Sequence, residues 1–346
     1  MSFRFIDACK RRPVDRTPIW LMRQAGRYLP EYRAVRSKVS FLELCKTPDL
    51  AAEVTLQPVD ILGVDAAILF SDILVVCEAM GMQLVLEDQG PQFPEPLRSR
   101  ADVDRLHVAD PEQELGYVTE AIRRVLRRLD GRVPLIGFCG APWTLAAYMI
   151  EGKTSRGFEK AKAALFSDEK LAQALLGKIS DTLIAYLNAQ LAAGAHALQI
   201  FDSWGGALGP EDYAKFGAPF LARVIAGLRR DARDPQPVIV FGVETGELLG
   251  QLAATGADVV GVDWRVPLDV ARGRVGPGVA LQGNLDPATL FLPLAEQRIR
   301  VARVLELAGQ AGPGHVFNLG HGVMVGTPVD NVKALVEQVH AHRLPR

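Results

Sequence analysis

The chain has 346 residues, 49% of them hydrophobic, which is enough to bury the core of one long α/β domain or two medium ones. Its 39 basic and 40 acidic residues nearly cancel, so the molecule as a whole is no electrostatic trap for nucleic acid, and an anionic ligand must be met by a local cluster of positive charge. No apolar run approaches the roughly 18 residues needed to span a bilayer, and Lys10-Arg11-Arg12 is followed by no apolar stretch of the secretory kind.

Eight short apolar runs recur along the chain, at 17–22, 64–70, 133–138, 196–201, 237–242, 258–262, 279–283 and 316–320. Each is nearly continuous in Val, Ile, Leu, Phe or Ala, the composition of parallel strands buried on both faces. Between them lie amphipathic segments. Residues 117–129 carry apolar positions at helical spacing with Arg123, Arg124, Arg127 and Arg128 on the wet side. Residues 171–193 are long enough for more than about five helical turns. Within 81–110, the apolar residues 84–86 and the proline-rich QGPQFPEPLR predict a small hairpin or excursion. Strands alternating with helices predict a single-domain (β/α)8 TIM-type barrel over residues 1–346, with its cleft at the carboxyl ends of the strands. The alternative is an open doubly wound sheet, but no GxGxxG fingerprint follows the first run.

In such a barrel the residues just after each strand carry the chemistry. They are Arg23-Gln24, Ser71-Asp72, Gly140 leading to Tyr148, Asp202-Ser203-Trp204, Asp263-Trp264, Asn284 and His321. Any one of these is as well explained by polar residues beginning where a strand ends; the set together is harder to explain so. The segment RQAGRYLPEYRAVR clusters Arg23, Arg27, Arg33 and Arg36, whose planar guanidinium forks match carboxylate oxygens in pairs. Gly26 within it permits close backbone approach or a positive φ. A solvated helix start is the competing reading, and it is the better one for Arg33 and Arg36. Asp72 is expected among apolar neighbours at the barrel mouth, costly unless something positive or hydrogen-bonding meets it; a helix-capping role is the alternative. His321 has no Cys or carboxylate at ligand spacing, so a hydrogen bond to ligand suits it better than a metal. Cys9, Cys45, Cys77 and Cys139 are far apart with no CxxC pairing, against a zinc knuckle and in keeping with a reducing compartment. A cytoplasmic protein is expected.

PIWLMRQAGRYLPEYR (18–33) and GFCGAPWTLAAYMIEG (137–152) closely resemble two signature segments of the uroporphyrinogen decarboxylase family, and FSDIL, FDSWGG, VVGVDW, QGNLDP and FNLGHGV resemble further segments in the same order. The segment FGVETG departs from that pattern, lacking the lysine often seen there. The resemblance implies a cofactor-free carboxy-lyase of porphyrin and heme biosynthesis, which converts the four acetates of uroporphyrinogen III to methyl groups, giving coproporphyrinogen III and four CO2. It also implies that Arg23, Gln24, Ala25, Gly26 and Arg27 form the substrate loop, that Asp72 is catalytic and reaches the pyrrole nitrogens, and that Tyr148, Ser203 and His321 contact substrate. Members are usually homodimers with facing clefts; no metal, nucleic acid or membrane partner is implied. Two rivals differ in class. Related methyltransferases on this barrel hold zinc with His and Cys late in the chain, where this sequence has no Cys after Cys139. A non-enzymatic tetrapyrrole carrier would keep the pocket without the chemistry.

Overall fold

A computed structural model of the chain describes residues 3–87 and 90–343. The strands, in chain order, are β1 (Ala67–Ile68), β2 (Val85–Glu87), β3 (Gly90–Gln92), β4 (Leu135–Gly140), β5 (Ala197–Asp202), β6 (Val238–Gly242), β7 (Val259–Gly261), β8 (Ala280–Gln282) and β9 (His315–Val316). β2 and β3 form the expected hairpin, paired antiparallel. The other seven make one curled sheet in the order β1-β4-β5-β6-β7-β8-β9, every pair parallel. The order follows the sequence without reversal, so the sheet has no switch point of the doubly wound kind.

Seven of the expected strands are thus present. The run 17–22 is not a ladder strand, and the reason is visible in its hydrogen bonds. The Ile19 N–H donates to the Asp65 carboxylate at 2.9 Å, that of Leu21 to the Gln24 side chain at 3.1 Å, and that of Met22 to the Asn318 side chain at 3.0 Å. Side chains take the place of neighbouring backbone. What remains is a parallel bridge from Ile19 to Phe317, with Trp20 N–H donating to Phe317 O at 3.3 Å and Asp65 N–H to Ile19 O at 2.7 Å. The run 316–320 is likewise short of ladder: after Val316 it continues as single bridges from Phe317 and Leu319.

The floor of the sheet is closed by packing. Trp20, Ala66, Ile136, Ala197, Ile239, Val259, Ala280 and Val316 form one buried cluster, each from a successive segment, with Phe5, Ile6, Ala8 and Cys9 of the helix Arg4–Cys9 against them. A chain of side-chain hydrogen bonds runs above it, from Trp20 Nε1 to Gln282 (2.9 Å) and from Gln282 to Gln199 (3.1 Å). Outer helices cover the other face. Gly116–Leu129 buries Val118, Ile122, Val125 and Leu129 and pairs Arg124 with Glu120 on its wet side, as the spacing predicts. No helix among the described residues is long and apolar enough to cross a membrane.

Candidate active site

The arginine loop leaves the first segment at Leu21 and is fixed from within. Gln24 is buried, and both ends of its amide are used by the chain: Oε1 accepts from Leu21 N–H, and Nε2 donates to Ala66 O at 3.1 Å. Its side chain therefore anchors the loop to the edge of β1. Tyr28 adds a hydrogen bond to Gln24 O at 2.7 Å. The left-handed residue is Arg23 (φ 60°), not Gly26. Gly26 serves instead by close approach, because an added Cβ would stand 3.0 Å from Arg23 O. Arg33 and Arg36 spend their guanidinium groups on backbone carbonyls of residues 27, 28 and 39. Arg23 and Arg27 are exposed and make no ion pair with any described residue. Two guanidinium groups with no ion pair to a described residue thus stand on one loop, and such forks match carboxylate oxygens in pairs.

Asp72 sits in the turn after β1, half-exposed at its surface yet crowded by protein. Oδ1 accepts from Leu74 N–H at 2.8 Å, a local turn ahead of the helix Val75–Ala79. Oδ2 accepts no hydrogen bond from a described residue. Burial raises the carboxyl pKa, against the downward pulls of the Leu74 N–H and of Arg23. Tyr148, on the helix Pro142–Glu151, is buried edge-on to Trp204 (5.8 Å between ring centroids) and Phe158 (6.3 Å). Burial raises its phenol pKa; Trp204 and Thr154 lower it, Asp72 raises it and Arg23 lowers it. Arg23, Asp72 and Tyr148 thus lie within electrostatic reach of one another.

The remaining strand exits divide into two groups. Asp202 is consumed by the fold, accepting from Thr144 and Tyr213 at 2.7 Å each. Its own pKa is raised by burial and pulled back by those two hydroxyls. Asn284 is also internal, donating to Asp263 O (2.9 Å) and Val266 O (2.6 Å). Ser203 is half-buried with no hydrogen bond to a described residue, in a loop held by Thr144 on Trp204 N–H (3.1 Å) and by Trp143 on Trp204 O (2.7 Å). His321 adjoins the arginine loop through Gly322, where an added Cβ would be 2.4 Å from Arg23 Cδ. Its Nδ1 accepts from Gly322 N–H at 2.8 Å. Burial, then Arg23 and Arg265, push the imidazole pKa down to about 4. The ring is neutral at pH 7, and with Nδ1 accepting, the proton is on Nε2, a donor for an acceptor outside. The residue after Asp263-Trp264 went unread in the sequence. Arg265 lies over the Trp264 ring at 4.1 Å, and Trp264 meets His321 edge-on at 6.5 Å. The signal was a second charged residue at that exit, DWR.

Fold and site together define a parallel-sheet α/β protein with exposed arginines and one half-buried carboxylate at the carboxyl ends of its strands. The family model for uroporphyrinogen decarboxylase (URO-D) matches residues 2–342. A uroporphyrinogen decarboxylase from Myxococcus xanthus (strain DK1622) is 56% identical over 99% of this chain and 97% of its own length, and one from Trichlorobacter lovleyi is 54% identical over 98% of each. The chain belongs to the uroporphyrinogen decarboxylase family. Among solved structures, a methyltransferase from Methanosarcina mazei superposes with a TM-score of 0.82 over 97% of both chains, at 22% identity, a likeness of fold.

Proposed function

We propose that the protein is a carboxy-lyase that converts the four acetate side chains of uroporphyrinogen III to methyl groups, yielding coproporphyrinogen III and four CO2. One observation carries the reading beyond family membership: the crowded, half-exposed Asp72, whose Oδ2 accepts no hydrogen bond from a described residue, lies within electrostatic reach of Arg23, whose loop also presents Arg27, without an ion pair to any described residue. Loss of CO2 leaves an electron pair that needs a sink. An electron-rich pyrrole supplies one once a proton adds to a ring carbon and makes the ring cationic and imine-like. The bond to CO2 breaks, its pair neutralises that cation, and a further proton transfer completes the methyl group, for one net proton consumed per acetate. Asp72 is the catalytic anion beside the cation, and its Oδ2 accepts from the pyrrole N–H groups. Arg23 and Arg27 hold carboxylates that are not leaving, and binding energy at those remote groups orients the reacting acetate. Gln24, Ala25 and Gly26 give the loop its shape. Tyr148, Ser203 and His321 line the same rim, and the Nε2–H of His321 suits an acid arm.

The sheet is read as a closed eight-stranded barrel, because segment 17–22 hydrogen-bonds to both β1-side and β9-side backbone and places Trp20 in the ring of floor residues. A cytoplasmic homodimer, working without a cofactor, completes the proposal. Purified protein is given uroporphyrinogen III anaerobically with no additive, and the products are separated by number of carboxyl groups. The proposal expects hepta- to tetracarboxylate products with CO2 release; unchanged substrate at micromolar enzyme would refute it.

A further inference from the structure

Arg265 stands one residue beyond the exit of β7, and its setting is unlike that of a surface ion pair. Nη1 donates to Asp263 Oδ2 at 3.0 Å and Nη2 to Glu244 Oε1 at 2.8 Å, while the guanidinium plane rests on Trp264. The two carboxylates differ. Asp263 is buried and already accepts from the backbone N–H groups of Glu244 (2.6 Å) and Arg265 (2.9 Å), so it is a fixed strut. Glu244 is exposed, with 60% of its side chain open against 41% for Arg265, and the only partner of its carboxylate among the described residues is this guanidinium. An exposed pair of that kind is weakly held and screened by salt. The same guanidinium is close enough to His321 to depress its pKa alongside Arg23. The Ser203 loop is tied to the backbone beside Glu244, for Gly206 N–H donates to Val243 O at 3.2 Å.

The geometry points to Arg265 as a further substrate-binding residue, which receives a carboxylate arm of the ligand in exchange for Glu244. The inference rests on the reading of the site as a receptor for a polycarboxylate. Asp263 and Trp264 hold the fork in place, so little side-chain freedom is lost on capture, and Glu244 is the competitor an incoming carboxylate displaces. Charge-assisted two-point contact is the chemistry a guanidinium supplies and an ammonium does not. Glu244 thereby tunes affinity: it occupies the fork in the empty enzyme and weakens binding of the arm that must replace it.

The test compares Arg265→Gln, Arg265→Lys and Glu244→Gln with wild type, reading KM, kcat and Tm on uroporphyrinogen. The inference expects Arg265→Gln to raise KM about tenfold with kcat less affected, and Arg265→Lys to raise it less. Glu244→Gln should lower KM severalfold, the opposite sign. A pair that only braces the loop would move both variants the same way, so a KM raised in Glu244→Gln as well, or unmoved in Arg265→Gln, overturns the inference. Glu244 is exposed and its removal leaves the strut intact, so that variant folds even if Arg265→Gln does not. Wild type inactive on uroporphyrinogen would instead sink the functional reading itself, a separate outcome.

Discussion

Replacing Asp72 with Asn removes one negative charge and almost nothing else. The amide oxygen still accepts from Leu74 N–H, as Oδ1 does at 2.8 Å. Two unit charges about 4 Å apart at an effective dielectric near 20 attract by about 4 kcal/mol. At about 1.4 kcal/mol per decade, loss of that attraction slows turnover roughly a thousandfold. Enzymes supply about 8–23 kcal/mol in all, so the variant keeps what orientation and water exclusion contribute and remains measurably active. The folded-state pKa of Asp72 is raised by burial, so its carboxylate costs folding stability as pH rises through that pKa. The Asn variant is relieved of that cost, and its Tm at pH 7 should equal or exceed that of wild type. The raised pKa also moves an acid limb in kcat/KM upward from the ordinary Asp value, and the Asn variant should lack it. The assay is single-turnover decarboxylation followed by product separation, with Tm on the same samples. Turnover within tenfold of wild type would refute the charge argument; a large fall in Tm would mean that Asp72 is structural.

Other consequences follow from the same geometry. Arg27→Ala should weaken binding of the product tetracarboxylate by one charge-assisted contact, about 1.5–3 kcal/mol or roughly ten- to a hundredfold in Kd by calorimetry; an unchanged Kd moves the clamp elsewhere. His321 is held neutral, with its pKa at about 4, so its ring resonances in NMR should show no titration between pH 5 and 8. The unfolded chain takes up that proton from its ordinary value near 6.5 while the folded one refuses it, so His321 removes stability as pH falls from about 6.5 to about 4. Asp65→Ala should be costly for folding, not chemistry. It strips partners from Ile19 N–H, Arg4, Arg16 and His340 at a buried site, and about 3–5 kcal/mol should be lost from the urea unfolding free energy. A loss under about 1 kcal/mol would show that the segment 17–22 is held by other means.

Much of this was legible in the sequence because parallel strands buried on both faces read as apolar runs, and seven of the eight runs are ladder strands. The run 17–22 misled because its apolar content reports burial, while its hydrogen bonds go to Asp65, Gln24 and Asn318, which no periodicity reveals. Which loops stand at the carboxyl ends of the strands was legible. Which polar side chains turn inward was not: Gln24, Asp202 and Asn284 stand at exits like Asp72 and His321, but Ala66 O, Tyr213 and Val266 O claim them through the tertiary fold. Arg33 and Arg36 could be set apart from Arg23 and Arg27 because they fall on the helix Pro30–Arg36, beyond the glycine-containing turn. Arg265 went unnoticed because its place near His321 depends on Trp264, which lies under the guanidinium and meets His321 edge-on across the strand ends.

The central claim is that the carboxylate of Asp72 lies under the macrocycle while arginines grip its rim. A crystal structure with coproporphyrinogen bound under reducing conditions tests it most directly. The account expects the four pyrrole N–H groups to converge on Asp72 Oδ2 at hydrogen-bonding distance, about 2.7–3.2 Å, with carboxylate arms on Arg23 and Arg27. A macrocycle bound away from Asp72, or arms that leave both guanidinium groups in solvent, would contradict it.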